Sequence, residues 1–422
     1  LRKKTGTFSL AIPIWVMVLW LFKGGIDFSI ASISGGDLRY ENELFPVNVD
    51  IDYLLSYLIY FLYFTAYCLI CFIYSLTSTK VTYTNITERT GIIESRCFIL
   101  FTLMMVCIYI YYGYQMYQQA LGSGLSVYHY SRFNGGTTKS LMTLTSWIAL
   151  TSCIIGIVIT TKKSKFIFSS LLVFIFVNSM ILGNRHILLS GLLFYFVLIL
   201  DSQDFDYKKL VKFLLVFIVL LSSVMSIYVV REAQEGSFSD IDGSKVTQGV
   251  LDSLSSSEFI YSHMSMYGVI ANDVDVKPGQ SLLFLVSATL PRVLSNSRED
   301  DIYTYYIENV SPNPFKGFTI ANPTGWYLNF GLIGVFLGGI ALSCTCCLLH
   351  YSCYHYKGGK SLFFLLLFSL FLSDSIGFMR SGGPEPFRAV FLIKSFIPAL
   401  CISFILRMRI NRSKEITKLC SK

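Results

Sequence analysis

Apolar runs that approach the length of a membrane span recur along the whole chain, and short basic segments separate many of them. A helix needs about 20 predominantly apolar residues to cross the hydrocarbon core of a bilayer. Only helices and closed barrels keep every backbone polar group paired there. Such runs lie at about 7–22, 52–76, 97–112, 141–160, 166–182, 187–201, 210–230, 324–349, 361–378 and 388–407. Composition agrees, since 53% of the residues are hydrophobic and only 14% are charged, where a soluble domain carries about a quarter. The predicted fold is an all-α polytopic membrane protein of about ten transmembrane helices, with residues 1–422 forming a single membrane domain.

The charges set the expected topology. With a cytoplasmic N-terminus, one side collects Arg2, Lys3 and Lys4, then Lys80, Arg89 and Arg96, then Lys162, Lys163 and Lys165, then Lys208, Lys209 and Lys212. Lys357, Lys360 and a basic tail from Arg407 to Lys422 complete that side. The short loops of the other side hold only Lys23, Arg39, Arg132, Lys139, Arg185, Arg380 and Arg388. This is the positive-inside pattern, with both termini cytoplasmic, and it explains the net charge of +8 without a nucleic-acid partner. The first run follows Arg2-Lys3-Lys4 but lacks a small-residue cleavage site, so it reads as an uncleaved span. Most of the 11 cysteines sit within or beside apolar runs, which argues against a disulfide framework. The stretch CTCC at 344–347 has no second ligand pair at metal-site spacing, so no metal is expected.

The stretch ILGNRHILLSG, 181–191, interrupts what would otherwise be one very long apolar helix. Leaving Arg185 near the bilayer centre would cost roughly 2.5–3.5 kcal/mol or more. A tight outward turn at Gly183–His186, between spans five and six, avoids that cost and keeps every later loop on its side.

Two polar regions fall outside. The segment 23–51 is acidic, and the segment 231–323, between spans seven and eight, is a large outer loop. Val250, Leu254, Ile260 or Tyr261, Met264 and Tyr267 recur near helical spacing, which predicts an amphipathic helix on the membrane face. PGQSLLFLVSATLPR, from Pro278, offers only about ten apolar residues and is expected to be re-entrant or interfacial.

Arginines mark the outer ends of spans and the large loop: Arg185, Arg231, Arg292, Arg298, Arg380 and Arg388. A guanidinium is a rigid fork that grips phosphate oxygens in pairs, so this set suits an anionic lipid head, above all a pyrophosphate. Each of them taken alone also fits snorkelling to lipid phosphates. A carboxylate or imidazole could act as general base, and Glu232, His186 and Asp301 are the candidates. Glu385, in the turn SGGPEP, reads as a solvated loop charge. Asp374 and Lys394 lie within or near the last two spans, where buried charges most often pair. Serine-hydrolase, metalloprotease, Walker and dinucleotide signatures are absent, so neither nucleotide nor cofactor is expected.

Two further stretches carry a resemblance. LGNRHILLSGLL, with its Gly-x-Arg turn, and NPTGWYLNFGLIGVFLGG, with its Tyr-x-x-Phe-Gly-x-x-Gly core, resemble segments of the O-antigen (oligosaccharide repeat-unit) polymerases of the Wzy type. That resemblance implies a glycosyltransferase of the bacterial cytoplasmic (inner) membrane, similar in fold to GT-C enzymes by analogy. Donor and acceptor would be undecaprenyl-pyrophosphate-linked oligosaccharides, with no metal or cofactor. A chain-length regulator and a flippase would be its partners in surface polysaccharide assembly. The rival expectations are an O-antigen ligase, whose His-containing stretch is missing where this chain has ANPTGWYLNFG, and a flippase or transporter of the same lipid-linked unit. If the arginines hold the donor, Arg231→Ala abolishes polymer while membrane levels stay normal. Wild-type polymer lengths in that variant would remove Arg231 from the site.

Overall fold

The computed structural model describes residues 7–23, 51–77, 96–123, 130, 136–182, 184–200, 258–289, 300–310, 319–356 and 359–406, and every regular element among them is helical. The helices are α1 (Ala11–Met17, prolonged by wider turns over Val18–Lys23), α2 (Ile51–Thr77), α3 (Arg96–Ser123), α4 (Gly136–Ile159), α5 (Lys162–Ile181) and α6 (Arg185–Leu200). They continue with α7 (Glu258–Ala271), α8 (Gln280–Thr289), α9 (Ile302–Val310), α10 (Asn322–His355), α11 (Gly359–Ser373), α12 (Ser375–Met379) and α13 (Phe387–Leu406). Six of these, α2, α3, α4, α5, α10 and α13, are long and apolar enough to cross a membrane, whereas α1, α6, α8 and α11 are apolar but shorter. This is the helix complement of a multi-pass membrane protein. An apolar helix occupies each predicted run within the described residues; the run 210–230 lies outside them.

The chain divides into two compact units that alternate along the sequence. The first comprises Leu1–Val81, Ser256–Leu348 and Asp374–Leu392, and α2 is its organising helix. Tyr53, Ser56, Tyr60, Tyr63 and Tyr67 fall at helical spacing and are all buried, while Leu54, Leu58, Phe61, Leu69 and Phe72 are exposed. The polarity is inverted relative to a soluble helix. In an apolar solvent the hydroxyls gain by turning inward, where they find partners. Tyr67 donates to the Leu10 carbonyl at 3.0 Å. The Tyr60 hydroxyl lies 2.9 Å from the His263 carbonyl and 3.0 Å from that of Ser262, and it accepts from the Met266 N–H at 3.2 Å.

Those last partners belong to α7, which packs on α2 and on the turns at Val18–Lys23. Where the spacing predicts a helix with one apolar face on the membrane surface, α7 is buried on every side from Ser262 to Val269. Tyr60 of α2 makes this possible, because it engages the Ser262 and His263 carbonyls and the Met266 N–H of the buried helix.

The longest helix, α10, is not one rod. Phe330 (φ −147°) and Gly331 (φ +62°, ψ −149°) break it, and the short leg Asn322–Phe330 folds back on the rest. The Trp326 ring lies against Gly338, whose lack of a side chain leaves the room. In a straight helix these two residues would stand about 18 Å apart along the axis. The expected single span at 324–349 is thus a short leg and a long helix joined at a glycine. Gly339, on the long part, meets the Tyr63 carbonyl and Ala66 of α2, the close backbone approach that small residues allow between membrane helices.

The second unit comprises Thr82–Ser255, Leu349–Ser373 and Ile393–Lys422. Its centre is α4, buried without interruption from Thr145 to Gly156 and packed against α3, α5 and α6. The hydroxyls of Thr151 and Ser152 bond back to the Trp147 and Ile148 carbonyls at 2.6 and 2.7 Å, so this buried helix leaves neither of them unpaired. Gly156 receives the Phe168 ring of α5, and α6 packs on α11. Between α5 and α6 the chain turns at Leu182–Asn184, closed by Leu182 N–H to Asn178 O (3.0 Å) and Asn184 N–H to Ser179 O (2.8 Å). Arg185 and His186, expected in the turn, are instead the first residues of α6, so the described residues of 162–200 form two helices that join ahead of Arg185.

Gly331 sits where a side chain is strained, at a cost of about 1–3 kcal/mol. Gly331→Ala should lower the apparent melting midpoint of the purified protein in detergent. Gly122→Ala, at a helical glycine with open space around it, should leave the midpoint unchanged or slightly raised.

Candidate functional site

Several buried polar side chains of the first unit, from α2, α7 and α8, converge on the short leg of α10. Asn322, Gly325 and Asn329 recur at i, i+3 and i+7, which places them on one face of that leg. Asn322 Nδ2 donates to the carbonyls of Ser381 and Gly383 at 2.9 and 2.8 Å, and Gly383 N–H returns a bond to Asn322 O at 3.1 Å. Its Oδ1 accepts from Tyr63 at 2.8 Å. Between these bonds the backbone of Gly325 lies flush on that of Gly382 and Gly383. Gly383 has φ +59°, so neither partner in the contact tolerates a side chain. The sequence SGGPEP is therefore a docked turn with fixed geometry.

Docking brings Glu385 to the starts of two helices. Its Oε1 accepts from the Ser281 hydroxyl at 2.9 Å and from the Ile302 N–H at 2.7 Å. Ser281 is in the first turn of α8 and Ile302 opens α9, so one carboxylate oxygen ties the turn to two separate elements. Asn329 completes the cluster: its Oδ1 accepts from Ser281 N–H (2.9 Å), and its Nδ2 donates to Ser281 Oγ (2.8 Å) and Gly325 O (2.7 Å). Glu385 is half-buried, and its pKa is raised to about 7, chiefly by burial. The Ile302 N–H and the Ser281 hydroxyl oppose the rise, and the nearby charge of Asp301 adds to it. A carboxyl group tuned to this range takes and gives up protons near neutral pH.

A second knot lies beside the first. Ser265 Oγ is 2.9 Å from Thr324 Oγ1 and accepts from the Ala321 N–H at 3.0 Å, joining α7 to the start of α10. His263 is fully buried among Tyr53, Tyr57 and Tyr60 and donates through Nδ1 to the Leu21 carbonyl at 2.8 Å. Burial lowers its pKa to about 4, so the ring is neutral and acts as structure.

The predicted site residues fare differently. Arg231, Glu232, Arg292 and Arg298 lie outside the described residues. Asp301 caps α9, its Oδ1 accepting from the N–H and hydroxyl of Thr304 at 2.8 and 2.7 Å. Arg380 and Arg388, both half-buried, flank the Glu385 turn. In the second unit Arg185 is the first residue of α6. His186 follows it, with Lys394 Nζ 3.2 Å from its Nε2 and the Trp147 ring at 6.3 Å; Lys394 also lies over that ring. An ammonium has only donors, so Nε2 accepts and the proton of a neutral ring sits on Nδ1. Lys394, within an apolar helix, thus finds a neutral acceptor and a π face. Residues missed at the sequence level are Ser281, Asn322 and Asn329, together with the weight of Glu385. The Asn-x-x-Gly-x-x-x-Asn spacing and the paired glycines of the turn were the available signal. No known family model, characterised protein or solved structure matches this chain significantly.

Linkage gives Glu385 a signature. Its pKa in the folded chain lies above the ordinary 4.5, so its contribution is fully present below about pH 4.5 and is lost as pH rises through 7. His263 acts in the opposite sense, destabilising as pH falls from 6.5 towards 4. The difference in melting midpoint between the wild type and Glu385→Gln should therefore change steadily between pH 4.5 and 7, the wild type losing ground as pH rises. A flat difference would show that Glu385 ionises as it does in water.

Proposed function

We propose that this chain polymerises undecaprenyl-pyrophosphate-linked oligosaccharide repeat units by glycosyl transfer at the outer face of the bacterial cytoplasmic membrane. In this proposal it has ten spans, cytoplasmic termini and a large outer loop at 231–323. The observation that carries it is Glu385, a carboxyl group held near neutral pKa in a docked turn bounded by Arg380 and Arg388. Glycosyl transfer from a lipid pyrophosphate needs this pair of functions. As the acceptor hydroxyl oxygen bonds to the anomeric carbon of the growing glycan, its proton passes to a base. The bond from that carbon to the pyrophosphate oxygen breaks, and the departing diphosphate gathers negative charge that guanidinium groups stabilise. Glu385 is the proposed base, ahead of Asp301, which caps α9, and His186, whose Nε2 is engaged by Lys394. Arg380 and Arg388 are the proposed diphosphate contacts.

The test is a gel of surface polysaccharide from cells lacking the gene, complemented with wild type or Glu385→Gln. Loss of the long ladder with a single repeat unit still on its core supports polymerisation. Loss of even the single unit overturns it in favour of ligation or transport, and units trapped on the cytoplasmic side would identify transport. Gln keeps an oxygen for both hydrogen bonds but cannot take a proton, so Glu385→Gln should cut polymer formation by about 10²–10⁴-fold at normal membrane levels.

A further inference from the structure

We propose that Asn329 and Ser281 form a one-way hydrogen-bond relay that orients Glu385, saturates its Oε1 and leaves Oε2 as the oxygen that gains and loses the proton. The proposal deepens the reading of Glu385 as a base, but the relay is a property of the chain whether or not polymer is made.

The direction follows from donor chemistry. The amide orientation of Asn329 is forced, because its Oδ1 faces a backbone N–H, Ser281 N at 2.9 Å, which can only donate. Its Nδ2 faces a carbonyl, Gly325 O at 2.7 Å, which can only accept. Nδ2 is therefore at Ser281 Oγ as well, 2.8 Å away, and must donate to it. The hydroxyl proton of Ser281 then points the other way, to Glu385 Oε1 at 2.9 Å. Ser281 and Asn329 are both fully buried, so water does not compete for these bonds. The same Oε1 takes the Ile302 N–H at 2.7 Å, another group that can only donate. A proton on Oε1 would have to displace one of two donors, whereas among the described residues no donor is directed at Oε2. Ser281 and Asn329 are positioning residues, acting on the substrate only through Glu385. The charged group that acts on Glu385 is Asp301 at the start of α9; Arg380 and Arg388 flank its turn in sequence.

The test needs no polymer. The purified full-length chain in detergent is treated with a hydrophobic carbodiimide across a pH series. The reagent adds to a protonated carboxyl group and leaves an N-acylurea, read at Glu385 by peptide mass spectrometry. Wild-type labelling should be half-maximal near pH 7, and Glu385→Gln should remove it. Ser281→Ala deletes a donor to the carboxylate and should raise the half-point by about one pH unit, and Ser281→Thr, which keeps the hydroxyl, should restore it. Asn329→Asp turns the donor behind Ser281 into an acceptor, draws the hydroxyl away from Glu385 and should raise the half-point as well. An unchanged half-point in Ser281→Ala, or an equal rise in Ser281→Thr, overturns the relay. Such a result together with an inactive Glu385→Gln would leave the polymerase reading standing. A shifted half-point together with a fully active Glu385→Gln would do the reverse.

Discussion

The first unit depends on one contact between bare backbones. Gly325 rests on Gly382 and Gly383, and Asn322 bridges the two segments with three hydrogen bonds. Two stretches separated by more than fifty residues in sequence meet backbone to backbone at the glycines, with the Asn322 side chain fastening them alongside. In an apolar surrounding, unpaired carbonyls at such a junction would each be costly, and Asn322 removes two of them at once. Glu385 stands two residues beyond the contact, so its position is set by the glycines more than by its own side chain.

The break at Phe330–Gly331 serves the same end. A straight α10 would carry Asn322 and Asn329 far beyond the long helix. Folded back, with Trp326 on Gly338, the short leg keeps both asparagines beside α2, α7 and α8. The tyrosines of α2 then link the layers, Tyr63 to Asn322 and Tyr60 to α7 and Thr324. Packing, hydrogen bonding and the half-burial of Glu385 thus have one origin in the reversal.

Apolar periodicity and length were enough to read the helices and the α5–α6 turn from the sequence, because a bilayer imposes one length scale on every span and an arginine inside it is costly. The break in α10 escaped, since Asn322, Thr324 and Asn329 at the head of NPTGWYLNFGLIGVFLGG read as the ordinary polar start of a span, not as a separate leg. α7 escaped in another way: its polar residues suggest a wet face, but Ser265 is taken up by Thr324 and Ala321 and His263 by the Leu21 carbonyl, all remote in sequence. Glu385 looked like a loop charge because the turn's docking depends on Asn322 and Gly325, remote in sequence. Asp301 had the right chemistry for a base, but a local bond to Thr304 takes its oxygen. Hydropathy does not foresee such tertiary pairings, and spacing marks only one face of the leg of α10.

The leg of α10 also has a consequence for how the chain is made. Asn322–Phe330 spans about 14 Å as a helix, too little to be recognised as a membrane segment on its own. It leaves the ribosome before Gly334 and Gly338, the surface that Trp326 needs. The leg therefore waits, polar groups still hydrated, until the long helix behind it has been inserted, and only then seats against it. The turn at 381–386 emerges later still. Assembly of the site is thus one of the last events in the biogenesis of this half of the protein.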